Sequence, residues 1–589
     1  MANNQKEDQL DLNKVKNFPK GAQIQRSKGH IYVIRRRYVF NNADGRKREI
    51  RETLGQIVYC VFYTQDEYKQ LFKKGLTRRD EPRLSDVINN PKIIEGLTQT
   101  QIELLASRCV TGIVGPFPLF WQLAKNCGLY DDLLTTFTNH KLCAKILVVA
   151  IYFIVIGDNS ARHISNFTET HFLPENIKLT GQLLSKFYKE LSQENQFFAN
   201  RFFIERAKRI TENNTLLCID STTIATSASH YSLMQEGLDK QGVFANQINF
   251  TLVFNYNDKT PISYKVLPGN VPDYSSLEEV LQDLVVFGLG TRCIAVLDRG
   301  YCGLSNISKA QQLNVKCCFA LKLNSRWARQ AVETALLNIN EPENFIASGE
   351  VSCYTVKVTE KDVSNTDITF WVHVYHSYKN HHNDVKDLYS KLDDFKRQWN
   401  AKCGKHMKSL LKNNLIKYFY YDKNDLSKPL LLNNHAVKNK LRYAGCFANV
   451  TTYECSALES YNTYDVRADI ERIFRSGKRD INLSVLRTHS DSYCLGKIII
   501  SFISLILLAE AKKELAKSRY KIDVDVNNKT IDIYNNKYDI NSVLHCTKSM
   551  QIHRNPISGE CFFLHPSTKQ HEIAKALGCD GLFMRKFKY

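Results

Sequence analysis

Four polar side chains stand at fixed intervals in the stretch YDVRADIERIFRSGK: Tyr464, Arg467, Glu471 and Lys478, spaced by 3, 4 and 7. A helix turns about 100° per residue, so all four share one face within roughly a 60° arc. Val466, Ile470, Ile473, Phe474 and Gly477 fall on the other side, which predicts an amphipathic helix over residues 464–478. Taken alone, the stripe also suits a solvated helix with an Arg467–Glu471 i,i+4 pair. Two aspartates change its meaning. Asp220 ends the apolar run TLLCID and Asp298 ends CIAVLD, so each closes a predicted buried strand. If those strands are neighbours, both carboxylates meet at one sheet edge, and Glu471 completes the cluster from its helix. Three crowded carboxylates need cations to neutralise them. Hard oxygen ligands favour Mg²⁺ or Mn²⁺ over zinc. Two such ions about 4 Å apart activate an attacking hydroxyl and stabilise the leaving oxygen in phosphoryl transfer. An aspartate at a strand end is also a common turn or helix cap, and Asp220, followed by STT, fits that role too.

The elements that must position these groups are legible in part. From Thr215 the chain reads TLLCID, then QINFTLVFN and PISYKVLPGN as a hairpin turning at residues 255–259. SSLEEVLQDLVVFG has helical spacing, CIAVLD is a strand, GLSNISKAQQL a helix and CCFALKL a further strand. The predicted order is β-β-β-α-β-α-β. About 150 residues then interrupt the pattern, first strand-like (SGEVSCYTVKV, DITFWVHVYHS), then lysine-rich and helical, before CFANVTT resumes a strand. The expected division is 1–90, a basic region with a β-hairpin; 91–212, mainly helical; 213–335 and 446–515, two parts of one α/β core; 336–445, an insertion; and 516–589, a small C-terminal region.

Bulk properties agree with a polyanionic partner. The 589 residues exceed one hydrophobic core, so about three or four structural units are expected. The net charge is +20, and it is uneven: residues 1–80 hold 18 Lys/Arg against 9 Asp/Glu, and 379–442 hold 15 against 6. Residues 30–58 read as a basic β-hairpin around the turn NNADG. The 17 cysteines contain no C-x-x-C pair and several sit in apolar runs, so they read as reduced, buried hydrophobes and not as a disulfide or zinc framework. His373 and His376 have no third ligand at a suitable spacing and read as ordinary residues. Two apolar stretches, 143–156 and 498–511, are short for a bilayer span of roughly 20 residues, so buried core helices and no membrane partner are expected. The polar N-terminus lacks a signal-peptide core, and a cytoplasmic protein is expected.

Three motifs then carry a resemblance. CIDSTTI, VLDRGYCG and the Tyr-x2-Arg-x3-Glu-x6-Lys spacing, in that order, resemble a bacterial insertion-sequence transposase of the DDE class. The resemblance spans about residues 215–510. It implies an α/β fold with an RNase H-like mixed sheet and flanking helices, split by a large insertion before the helix of the catalytic glutamate, with a helical N-terminal region. It implies Asp220, Asp298 and Glu471 as the catalytic, metal-binding triad, with two Mg²⁺ or Mn²⁺ ions. Tyr464, Arg467 and Lys478 would hold DNA phosphates at the transposon end. Arg299 and Tyr301 either touch DNA or form a turn into the next helix. Trp371, in the insertion, is either a base-stacking aromatic or a core residue. The implied partners are double-stranded DNA at the transposon ends and target, and a second protein copy in a dimeric synaptic complex of a nucleoid-associated bacterial protein. The implied reaction is end cleavage and strand transfer, cut-and-paste transposition. A nuclease that cuts without joining and an inactive DNA-binding derivative stay as alternatives.

Overall fold

Alternation of buried and polar residues builds the first sheet in the computed structural model, which describes residues 15, 17–27, 30–40, 47–58, 61–71, 112–193, 195–226, 232–238, 244–323, 325–346, 350–401, 407–488, 490–526, 529–554 and 561–584. The NNADG turn lies outside the described residues. The chain divides into two units: 1–123 with 163–178 and 514–589, and 124–162 with 179–513.

In the first unit, β1 (Gln23–Ser27), β2 (His30–Phe40), β3 (Lys47–Val58) and β4 (Val61–Thr64) form an antiparallel sheet in that order. Val33 and Ile57 pack with Val15 at its core. Gly55 is required where β3 meets β4, because a Cβ there would sit 1.9 Å from the Tyr63 carbonyl oxygen. In a small second sheet the 551–554 strand pairs with 561–563 on one side and with Gly112–Ile113 on the other.

The second unit is built on one large mixed sheet. Its longer strands are β5 (Thr215–Thr226), β6 (Gln235–Leu238), β7 (Phe244–Asn255), β8 (Thr260–Pro268), β9 (Cys293–Leu297), β10 (Lys316–Ala320), β11 (Val351–Lys361), β12 (Asp367–Ser377) and β13 (Cys446–Thr451). The order across the sheet is β11-β12-β13-β10-β9-β5-β7-β6, with β8 also on β7. β5, β7 and β8 are antiparallel neighbours, while β9 and β10 run parallel to β5. The predicted hairpin of 247–255 and 261–270 is present as β7 and β8, and β5 runs on past Asp220 to Thr226.

One face of the sheet carries Leu217, Ile219, Ala295, Leu297, Phe319 and Val372 into a continuous apolar core. Residues from α3 (Asp273–Val286), α4 (Leu304–Gln312) and α5 (Arg326–Leu336) close that core. Among the helices that precede them, α1 (His140–Ile156) and α2 (Asn195–Lys208) also belong to this unit. The strands at 351–377 extend this same sheet, so the strand-like start of the expected insertion is continuous with the α/β core. What leaves the sheet is 378–445: α6 (Tyr378–Ala401) buries Leu392, Phe395 and Trp399 against Tyr418, Phe419 and Leu430 in a core of its own.

On the sheet's second face lie α7 (Ala457–Asp465), α8 (Ala468–Asp480) and α9 (Asp491–Lys517). α9 is long and apolar enough to cross a membrane, yet 94% of its apolar window is buried inside the protein. Ser504 Oγ in its middle donates to the Ala150 carbonyl of α1 at 3.0 Å, and Phe502 packs edge-on against Phe203 of α2. The cysteines of the described residues are free thiols, most of them buried.

His373 is a core residue. Its Nδ1 lies 2.9 Å from Thr355 Oγ1 and its Nε2 2.9 Å from Thr451 Oγ1. Burial pulls its pKa from 6.5 down to about 4. The folded protein therefore binds fewer protons here than the unfolded chain, and stability falls as pH drops from 6.5 towards 4, by up to about 3 kcal/mol. Urea unfolding of wild type and His373→Asn across that window checks this: the wild-type midpoint falls with acid more steeply than the variant's.

Candidate active site

The register of the sheet decides how the two aspartates meet. Leu297 of β9 lies opposite Ile219 of β5 in a parallel pair, so the next residues, Asp298 and Asp220, stand side by side. Ile219 and Leu297 point into the core, and alternation turns both aspartates to the second face. Adjacent strands lie about 4.8 Å apart, which sets the spacing of the two side chains. Asp220 is 4% exposed, and its Oδ1 accepts a hydrogen bond from the Ser221 amide at 2.9 Å. Asp298 Oδ1 accepts from the Arg299 amide at 2.6 Å.

Glu471 arrives from above. α7 starts at a capping box, in which Ser456 and Glu459 each accept from the other's backbone amide. It ends at Asp465, and α8 begins after Arg467. The expected single helix over 464–478 is therefore corrected to two helices meeting at a bend. There, Arg467 N donates to Tyr464 O at 3.1 Å and Asp469 N to Val466 O at 3.2 Å, tight i→i−3 bonds in place of the α-helical ladder. The bend is docked on β5: Val466 is buried, and the Cys218 thiol donates to its carbonyl at 3.6 Å. An ion pair from Lys259 Nζ to Asp469 Oδ2, 2.5 Å, ties the first turn of α8 to the β7–β8 turn. The far end is held by Gly477, where a Cβ would come within 2.9 Å of Leu505 on α9. Along α8, Glu471 and Lys478 are exposed while Ile470, Ile473, Phe474 and Gly477 are buried, as the periodicity predicts.

Arg467 lies at the centre of the cluster. Its Nη2 lies 3.2 Å from Glu471 Oε1, 3.4 Å from Asp298 Oδ2 and 3.8 Å from Asp220 Oδ2. Burial alone would disfavour its charge, but Tyr464, Asp298, Asp220 and Glu471 outweigh that and hold the guanidinium protonated. Burial pushes the neighbouring Tyr464 phenol upward. Among the described residues no three His, Cys, Asp or Glu side chains close up into a ready-made metal cage, and in this cluster the guanidinium stands between the carboxylates. The donor set nevertheless fits a hard divalent ion: three carboxylates from three elements already converge on one positive centre.

The remaining candidates separate. Arg299 is exposed beside Asp298, its Nε 3.9 Å from Oδ1. Lys478 lies two turns along α8 from Glu471, outside the carboxylate cluster. Tyr301 is corrected: it is 0% exposed, held in the core, and cannot face DNA. Its carbonyl accepts from Asn306 at 2.8 Å, so the Arg-Gly-Tyr segment is a turn into α4. Trp371 is half-buried, with Lys357 Nζ 5.9 Å from its ring centre.

One site residue escaped the sequence. Asp273, in the first turn of α3, accepts hydrogen bonds from Ser221 Oγ and, at 3.2 Å, from Asn249 Nδ2. It thus grips the residue next to Asp220 from the opposite side of the sheet edge. Only a Pro-Asp pair before a helix marks it, and that reads as a helix start. Asp273→Ala removes the charged acceptor of both bonds and costs about 1–3 kcal/mol, whereas Asp273→Asn costs less. Thermal unfolding of both variants checks the order.

Comparison with known families places the chain. The transposase DDE domain profile matches residues 212–507, half of the chain, and covers β5, β9, α8 and the cluster they form. The chain belongs to the transposase DDE domain family. No curated protein matches this transposase. Among solved structures, the synaptic complex of piggyBac transposase with hairpin DNA is similar at 8% identity and a TM-score of 0.28, over 62% of this chain and 76% of that one.

Proposed function

We propose that this transposase binds the ends of its own element and carries out divalent-metal-dependent cleavage and strand transfer, with Asp220, Asp298 and Glu471 as the catalytic triad. The observation that carries the reading is the convergence of these three carboxylates, one each from β5, β9 and α8, on a single cationic centre. The strand arrangement supports an RNase H-like core: three antiparallel strands followed by two parallel to the first, in the order β8-β7-β5-β9-β10.

In that reading Asp220, Asp298 and Glu471 hold two Mg²⁺ or Mn²⁺ ions. When bound, the ions supply an activated attacking hydroxyl and neutralise charge on the leaving oxygen. Asp220 and Asp298, fixed on neighbouring strands, set the spacing of the ligands. Glu471, half exposed on its helix, closes the site from the DNA side. Arg467 offers a planar fork to phosphate oxygens once the carboxylates are neutralised, and Tyr464 lines its approach. Lys478 and Arg299, both exposed, reach the flanking backbone as point charge and fork. Water attacks the phosphodiester at the element's end, and the freed 3′-hydroxyl attacks target DNA. Pairing of two ends implies at least a dimer on DNA. The test is joining: paired end duplexes, plasmid target and Mg²⁺ give covalent end–plasmid products. Cutting without joined product would assign a nuclease instead.

A further inference from the structure

The basic ribbon of β2 and β3 changes character along its length. At its base, Val33, Ile34 and Ile57 are buried in the first unit's core. Beyond Ile34 and Thr53 both faces of the two strands are exposed. Tyr38 is 61% exposed, Val39 49% and Ile50 48%. A two-stranded ribbon without a buried face gains little from packing, so its own stability does not account for that extension.

Its charges are arranged against folding stability as well. Arg36 lies directly across from Arg51, a like-charge pair that destabilises a sheet on its own. Glu49 takes both of them, at 3.3 and 3.1 Å, and Glu52 takes Arg37 at 3.9 Å. Cations still exceed carboxylates, with Arg35, Lys47 and Arg48 on the same segment. Strand alternation sends Arg36 and Arg51 to one face and Arg35, Arg37 and Arg48 to the other. A ribbon charged on both faces suits a partner that wraps both faces. The major groove, about 12 Å wide with phosphates along both walls, admits a two-stranded ribbon.

We propose that the exposed part of the β2–β3 ribbon docks in the major groove of double-stranded DNA, its two arginine faces reaching the phosphates on either wall. This deepens the transposase reading and rests on it: the ribbon is an end-binding element separate from the carboxylate site.

The experiment uses the full chain with EDTA and a fluorescently labelled duplex carrying the element's boundary, beside a scrambled duplex of the same length. The variant is R36A/R37A/R48A/R51A. The variant's affinity for the boundary duplex falls at least about 30-fold near 100 mM salt, and its log–log salt slope shrinks by about three. On wild-type protein, dimethyl sulfate footprinting shows protection of guanine N7, which faces the major groove. Protection that is absent, or confined to minor-groove positions, overturns the proposal whatever the variant's folding. Unchanged affinity and slope in a variant that unfolds at the wild-type temperature also overturn it. If wild type binds neither duplex, the transposase reading itself fails.

Discussion

Asp220→Asn, Asp298→Asn and Glu471→Gln each abolish strand cleavage, lowering the rate about 10³-fold or more, while binding of end DNA stays within a few-fold of wild type. The three carboxylates come from three elements and share one positive centre, so none can take over another's position. The substitutions are nearly isosteric. In Asp220→Asn the side-chain amide oxygen can still accept the Ser221 amide bond that Asp220 accepts now, so the local fold survives. What is lost is a negative oxygen ligand. Gel-based cleavage and fluorescence anisotropy on one preparation separate the two effects. Wild-type cutting by any one variant removes that residue from the triad.

Arg467→Ala has the second large effect, and it runs in two directions. Without divalent ions the change leaves three carboxylates facing one another with no cation between them. The site is partly open to water, so the cost is about 1–3 kcal/mol, read as a melting temperature lower by about 1–4 °C. Mn²⁺ relieves that repulsion, so it raises the melting temperature of Arg467→Ala more than that of wild type, in which the ion must displace the guanidinium. Cleavage still falls, because the fork that grips phosphate is gone. Arg467→Lys does not restore it, since one ammonium cannot span the same oxygens. Differential scanning fluorimetry with and without Mn²⁺ decides. Equal Mn²⁺ shifts in variant and wild type would show that Arg467 and the metal do not compete for the same carboxylates.

The carboxylate cluster was legible because two features of it are local. Asp220 and Asp298 each end an apolar run, and buried parallel neighbours put such ends in register. Glu471 shares a heptad spacing with Lys478 on a helix whose apolar side is explicit. What stayed hidden depends on tertiary contacts. The break at Val466–Arg467 contains no proline or glycine, and the contact there between the Val466 carbonyl and Cys218 of β5 is one that no local pattern reports. The pair with Glu471 is the i,i+4 contact that the spacing gives; the approach of Arg467 to Asp220 and Asp298 comes from packing of this segment on the sheet. Tyr301 follows an arginine and a glycine, which leaves both a DNA contact and a turn into the next helix open; the segment is the turn, and the Tyr301 side chain is buried in the core. Asp273 is a single acid at a helix start, and only the fold places it against Ser221. The strands at 351–377 were legible as strands; that they join the main sheet through β13 is a pairing across some 70 residues.

The most direct test of the central claim uses a labelled duplex bearing the DNA at the element's boundary, incubated with wild-type or Glu471→Gln protein in Mg²⁺ or EDTA. The account predicts a nick at the boundary with wild type and Mg²⁺ only, and bound but uncut DNA with the variant. Cutting that persists in EDTA, or in Glu471→Gln, would contradict it.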